Sequence, residues 1–171
     1  GNYTGAFISI QQAVTCILHL ENRCGEKFIK MLLLEGYDAA GTNAAKKRFL
    51  KQFEMIVNTK ILGTVNRKAN WQIALGKDSE NRQNIKYQTL PNTHCHKVIN
   101  KFTLLTAHCV EDETRRNRWN EVIHLWSLVM EAAWRQEDFS DDDIKEFQNL
   151  ADDWFQKRVT MFGRDGITNY T

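Results

Sequence analysis

The stretch DETRRNRWNEVIHLWSLVMEAAWRQEDFSDDDIKEFQNLADDWFQKRVTMFG, Asp112 to Gly163, decides the fold class of this chain. Its first half places Trp119, Val122, Ile123, Trp126, Val129, Met130 and Ala133 at i, i+3, i+4, i+7, i+10, i+11 and i+14. That spacing lays one apolar stripe along a helix of about 3.6 residues per turn. The second half repeats the pattern with Ile144, Phe147, Ala151, Trp154, Phe155, Val159 and Phe162. Between them Ser140 is a natural N-cap, with Asp143 three residues on as the acid of a capping box. Asp141 and Asp142 sit where the helix dipole favours negative charge, and Phe139 is placed to staple onto Ile144. Gly163 suits a left-handed helix end. Two such rods predict an antiparallel helical hairpin over 113–137 and 140–162.

Upstream, Ile10, Ala13, Val14, Ile17, Leu18 and Leu20 support a helix from Ala6 to about Asn22. Gly25 reads as a break, followed by a short helix from Glu26 to Tyr37 with Phe28, Ile29, Leu32 and Leu33 inward. Gly36 and Gly41 mark a turn, and Thr42 or Asn43 caps a helix with Phe49, Phe53, Ile56 and Val57 inside. Its outer side carries Lys46, Lys47, Arg48 and Lys51. Residues 63–90 are the least regular, with a short element around Trp71 and then an exposed loop. After Pro91, with Asn92 or Thr93 as cap, Cys95, Val98, Ile99, Phe102, Leu105 and Cys109 make another stripe. The whole predicts an all-α single domain of five to six helices organised on the hairpin, a fragment of a longer protein.

The bulk properties bound the function classes. A chain of 171 residues with 42% hydrophobic content is long enough to bury about 70% of its unfolded surface. One proline and nine glycines argue against low complexity and against a sandwich of many short strands. No apolar run approaches the roughly 20 residues of a membrane span, and no secretory signal is visible at the start. The net charge of +2 conceals an asymmetry. Residues 1–110 hold 15 Lys and Arg against 7 Asp and Glu, whereas 111–171 hold 8 against 14. Unless these segments pair with each other, the molecule has a basic part and an acidic part. Cys16, Cys24, Cys95 and Cys109 permit two disulfides, Cys16 to Cys24 being the pair to check, or serve as buried thiols in a reducing compartment. The Asn-Tyr-Thr sequons at Asn2 and Asn169 matter only in a secreted protein. The expected setting is intracellular, the nucleus included.

Few residues carry a catalytic pattern. His94-Cys95-His96 and His108-Cys109 have soft ligands that suit zinc. On one continuous helix, however, 14 residues separate the cysteines by about 21 Å, too far for a shared ion. Asp141, Asp142, Asp143 and Glu146, with Asp152 and Asp153, form the densest acidic group, and helix capping explains the first three. Phosphate loops, dinucleotide fingerprints, nucleophile elbows and His-Glu-x-x-His are missing from the sequence. The expectation is no catalytic residue, no metal site and no cofactor. The basic residues are better placed. Lys46, Lys47, Arg48 and Lys51 share a helix, Arg67 and Lys68 follow, and Arg115, Arg116 and Arg118 open the hairpin. Such side chains contact phosphates, and Trp71 or Tyr87 offers a ring on which a base can stack.

Three segments, Glu113-Thr-Arg-Arg-Asn-Arg-Trp-Asn120, Glu137-Asp-Phe-Ser-Asp-Asp-Asp-Ile144 and Phe162-Gly-Arg-Asp-Gly-Ile-Thr-Asn-Tyr170, carry a resemblance. The chain resembles mobile-element-derived, transposase-like proteins of sponges, cnidarians and protists, mainly over 111–170. In that family the Thr-Asn-Tyr stretch looks like the lead-in to histidine- and glutamate-bearing segments of a ribonuclease-H-like core, neither of which this chain reaches. The resemblance therefore implies a helical portion without a complete active site. The leading expectation is a non-catalytic helical module of a transposon-derived protein that binds nucleic acid through basic helix faces. A protein-interaction or oligomerisation domain is the alternative, and a metal-dependent hydrolase the third reading. A membrane partner is not expected.

Overall fold

The computed structural model describes residues 10–64, 70–77, 83–135 and 138–163, with side chains from residue 17 onward except at 77 and 83. Among these residues the fold is all-α, six helices with one two-stranded sheet. Helix α1 spans Ile10–Ala39, α2 Asn43–Met55, α3 Asn92–Asn100, α4 Phe102–Cys109, α5 Glu113–Ala133 and α6 Asp141–Phe162. The last turns after α2, Ile56–Leu62, are wound as a π-helix. Strands β1 (Ile73–Lys77) and β2 (Gln83–Tyr87) pair antiparallel, Ile73 opposite Tyr87 and Leu75 opposite Ile85.

The expected hairpin forms α5 and α6. Trp119 meets Phe162 with ring centroids 4.6 Å apart, and Trp126 meets Trp154 at 4.8 Å. Arg135 pairs with Asp143 at 2.8 Å, so the contacts run in opposite senses along the two helices. Ser140 and Asp143 form the capping box: the Ser140 side chain accepts from Asp143 N–H, and the Asp143 carboxylate accepts from Ser140 N–H. Hydrogen bonds from the Ser140 hydroxyl, from Arg135 and from the Ser140 N–H hold the Asp143 carboxyl down at about 2. Two details differ from expectation. Phe139 turns its ring to Phe147, at 6.5 Å, while Ile144 stays exposed. Gly163 ends α6 at φ 73, ψ 171, a glycine region distinct from the left-handed helix.

Three larger expectations are corrected. No break occurs at Gly25: α1 is one helix of 30 residues. A Cβ at Gly25 would lie 2.4 Å from Cys95 Sγ, and one at Gly36 2.4 Å from the Phe49 ring and 3.1 Å from Cys109 Cβ. These glycines are notches for neighbouring helices, so a helix-weakening residue is retained by packing. The single helix expected over 92–109 is two, divided at Lys101 (φ −115, ψ 24). Residues 63–90 contain the β-hairpin, whose short apolar alternation of Ile73 with Leu75, and of Ile85 with Tyr87, was too weak a signal beside so many polar neighbours. The core is continuous, from Phe28, Leu32 and Leu33 of α1 through Phe53 and Val57 to Val98, Leu105, Trp119 and Trp126.

Gly25→Ala tests the notch. Helix propensity alone would favour alanine by about 1 kcal/mol, but overpacking against sulfur costs about 1–3 kcal/mol. Urea unfolding should therefore show a net loss of stability, and the loss should shrink in a Cys95→Ala background, where the sulfur is gone.

Candidate nucleic-acid interface

The clearest basic surface is one face of α2. Thr42 caps the helix, its hydroxyl accepting from Ala45 N–H at 3.2 Å. Phe49, Leu50 and Phe53 are buried, which turns Lys47, Arg48 and Lys51 outward at i, i+1 and i+4. All three are exposed, and none makes an ion pair with any described residue. Lys46 is half-buried, its ammonium 4.7 Å from the centre of the Tyr37 ring.

A groove of about 470 Å³ runs beside this face, bounded by Lys47, Arg48, Lys51 and one carboxylate, Glu54, on α2 and by Ile73 and Leu75 on β1. The opposite wall is fixed by a buried amide. Asn58 Nδ2 donates to the Trp71 carbonyl and Asn58 Oδ1 accepts from Trp71 N–H, both at 2.8 Å. Glu54 adds a third tie, accepting from Ile73 N–H at 2.9 Å. Asn58 lies in the π-helical turns, whose wider winding presents its side chain to the chain entering β1. Asn58 therefore ties the end of the basic helix to the chain entering the sheet.

The other predicted contacts are placed differently. Arg67 and Lys68 lie outside the described residues. Arg115 forks onto Glu35, Nε to Oε1 and Nη2 to Oε2, each at 2.9 Å, and Trp119 Nε1 donates to the same carboxylate at 3.0 Å. Burial pushes the Glu35 carboxyl up, but the hydrogen bonds from Arg115 and Trp119 and the Arg115 charge together bring it below its ordinary value. Arg116 donates to the Val110 carbonyl, and Arg118 is exposed. The oddity of arginines at a helix N-terminus is resolved by Asp112, whose carboxylate caps α5 at Arg115 N–H, 2.6 Å, and by the Glu35 clamp. Neither expected stacking ring is available for a base. Trp71 is 4% exposed and donates to the Gln88 carbonyl, and Tyr87 donates to the Glu26 carbonyl. Burial, helped by the charges of Glu26 and Cys95, pushes the Tyr87 hydroxyl up to about 12.

The described thiols pack in the core, whereas the side chain of Cys16, and with it the Cys16 to Cys24 pairing, lies outside the described residues. Cys24, Cys95 and Cys109 are free and buried. Cys95 packs at Gly25 and Cys109 at Gly36, positions separated by about 16 Å along α1 at roughly 1.5 Å per residue. Burial raises the Cys95 thiol to about 12. Among the described residues no group of three or more His, Cys, Asp or Glu side chains is arranged to hold a metal, and no helix is long and apolar enough to cross a membrane. Of the acidic group, Asp143 serves the cap and Asp153 pairs with Lys157.

One constellation was not singled out in the sequence. Glu21, buried on α1, accepts from Trp134 Nε1 at 3.1 Å and sits 2.8 Å from His96 Nδ1. Its signal was present: Glu21, Phe28 and Glu35 recur every seven residues on the inward face of α1, and carboxylates on an apolar stripe demand partners.

Compared with protein families, curated proteins and solved structures, the chain matches none.

The Glu35 clamp is a stability element, and its pH dependence has a definite sign. A carboxyl held below its ordinary value of 4.5 contributes fully above that pH, and the contribution is lost as pH falls through the folded value. Arg115→Gln should cost about 1–2 kcal/mol at neutral pH, as expected for a part-exposed charge-assisted fork. The same variant should lose less further stability than the parent when both are acidified below pH 4.5 in urea melts.

Proposed function

We propose that this chain is a non-catalytic helical module of a transposon-derived protein that binds the phosphate backbone of nucleic acid along the α2 face. The supporting observation is the alignment of Lys47, Arg48 and Lys51 on one exposed face without an acidic partner among the described residues. Lysine and arginine on a rigid helix supply phosphate contacts whose strength comes from releasing condensed counterions. Three acids of α6 are engaged elsewhere: Asp143 pairs with Arg135, Asp142 with Lys145 and Asp153 with Lys157. Arg118 is a further exposed contact, whereas Arg115 is occupied by Glu35. Sequence readout has no support here, because Trp71 is buried and the half-buried Tyr87 is held by its hydroxyl to the Glu26 carbonyl. The binding is non-specific, and the transposon origin rests on the resemblance over 111–170.

A second reading, self-association or a protein partner, has its own observation. Leu20, Ile144 and Phe155 are large apolar side chains left 47%, 44% and 43% exposed. Leu20 and Phe155 border a groove of about 510 Å³ whose walls include Trp126 and Trp154. Exposed apolar surface of this kind marks interaction sites.

Fluorescence anisotropy with a labelled DNA duplex tests the first reading. Kd should fall in the non-specific range of about 10⁻⁴–10⁻⁶ M, and log K should drop with log salt by about 0.9 per phosphate contacted. The triple variant Lys47→Gln, Arg48→Gln, Lys51→Gln should weaken binding and flatten that slope, while Lys145→Gln on α6 should change neither. Salt-independent traces, or equal loss in both variants, would sink the assignment. Sedimentation equilibrium tests the second reading: a monomer at all concentrations, unaffected by Phe155→Ser, excludes self-association.

A further inference from the structure

A second cleft, chemically opposite to the basic groove, lies between α1, α3 and the C-terminal half of α5. It encloses about 550 Å³, within the usual range of small-molecule sites of roughly 300–1,000 Å³. Glu21 lies in its wall, with His96 from α3, Trp126, Met130 and Glu131 from α5, and Trp134 at the C-cap of α5. Two carboxylates line it, and no Lys or Arg is among its described lining. From these observations we infer that the cleft binds a small organic ammonium, a positive nitrogen carried on an apolar or aromatic stem.

The chemistry rests on Glu21. This side chain is 7% exposed, and a carboxylate withdrawn from water needs compensation. Its two oxygens are oriented by Trp134 Nε1 at 3.1 Å and His96 Nδ1 at 2.8 Å, one donor each. Each carboxylate oxygen accepts two hydrogen bonds, so one acceptor site on each remains. Indole brings no charge, and imidazole brings one only when protonated. A permanently cationic ligand supplies the missing counter-charge, and Glu131 on the rim adds a second attraction.

The remaining walls select the stem. Met130 and the indoles of Trp126 and Trp134 offer polarizable apolar surface, which favours an ammonium ligand over a hydrated metal ion. Trp126 is 2% exposed and adds its ring surface to this wall. The inference stands apart from nucleic-acid binding, because it uses other helices and the opposite charge.

Isothermal titration of the full chain with phenethylammonium, 3-phenylpropanol and 3-phenylpropionate tests it, the three probes sharing a ring and differing in charge. Phenethylammonium should bind, the alcohol should bind at least about tenfold more weakly, and the anion should not bind. Glu131→Gln, at an exposed rim position, should weaken the cation about tenfold with an unchanged thermal transition. Trp134→Phe keeps the ring but removes one of the hydrogen bonds that orient Glu21, and should also weaken the cation. Absence of phenethylammonium binding, equal binding of all three probes, or unchanged affinity in both folded variants would overturn the proposal.

Discussion

The approach of α1 to its neighbours is limited by two missing side chains. At Gly25 the space that a Cβ would need is filled by Cys95 of α3, and at Gly36 by Phe49 of α2 with Cys109 of α4 close by. The two contacts, 25 with 95 and 36 with 109, seat α3 and α4 at successive positions along α1. A methyl group at either position would push a neighbouring helix outward, and close-packed interiors transmit such shifts. The positions of the α2 face and of the Glu21 cleft both depend on this spacing, since their walls are those neighbouring helices.

Three carboxylates of α1 then fix where the rest of the chain docks. Glu21 meets His96 and Trp134, Glu26 accepts from Leu90 N–H at 3.2 Å, and Glu35 takes the Arg115 fork and the Trp119 indole. Each spans a long stretch of sequence, so the apolar core supplies the driving force while the carboxylates select the register. Removing one partner of a poorly solvated charge costs more than the pair gains, which makes such contacts sensitive to substitution and specific in geometry.

Charge is sorted by the same framework. On α2 the core claims Phe49, Leu50 and Phe53 and leaves Lys47, Arg48 and Lys51 to solvent beside β1. Along α1 and α5 the carboxylates of Glu21 and Glu131 gather with tryptophan in a separate cleft. The proposed polyanion and the proposed organic cation are therefore assigned to different faces of one helical scaffold.

The sequence by itself determined the helical class, the α5–α6 hairpin, its capping box and the outward basic face of α2. Those features depend on residues within a turn or two of each other, where periodicity and capping act directly. Only the tertiary structure decided that Gly25 is a notch within α1, that Asn58 ties the π-helical turns to Trp71, and that Arg115 faces Glu35. It likewise decided that Trp71 and Tyr87 are used inside the fold. Each of these outcomes is set by a partner between 13 and 80 residues away. A glycine, an asparagine or an arginine looks the same in a local window whether its neighbour is water or a packed helix, so its role is settled only when the chain closes on itself.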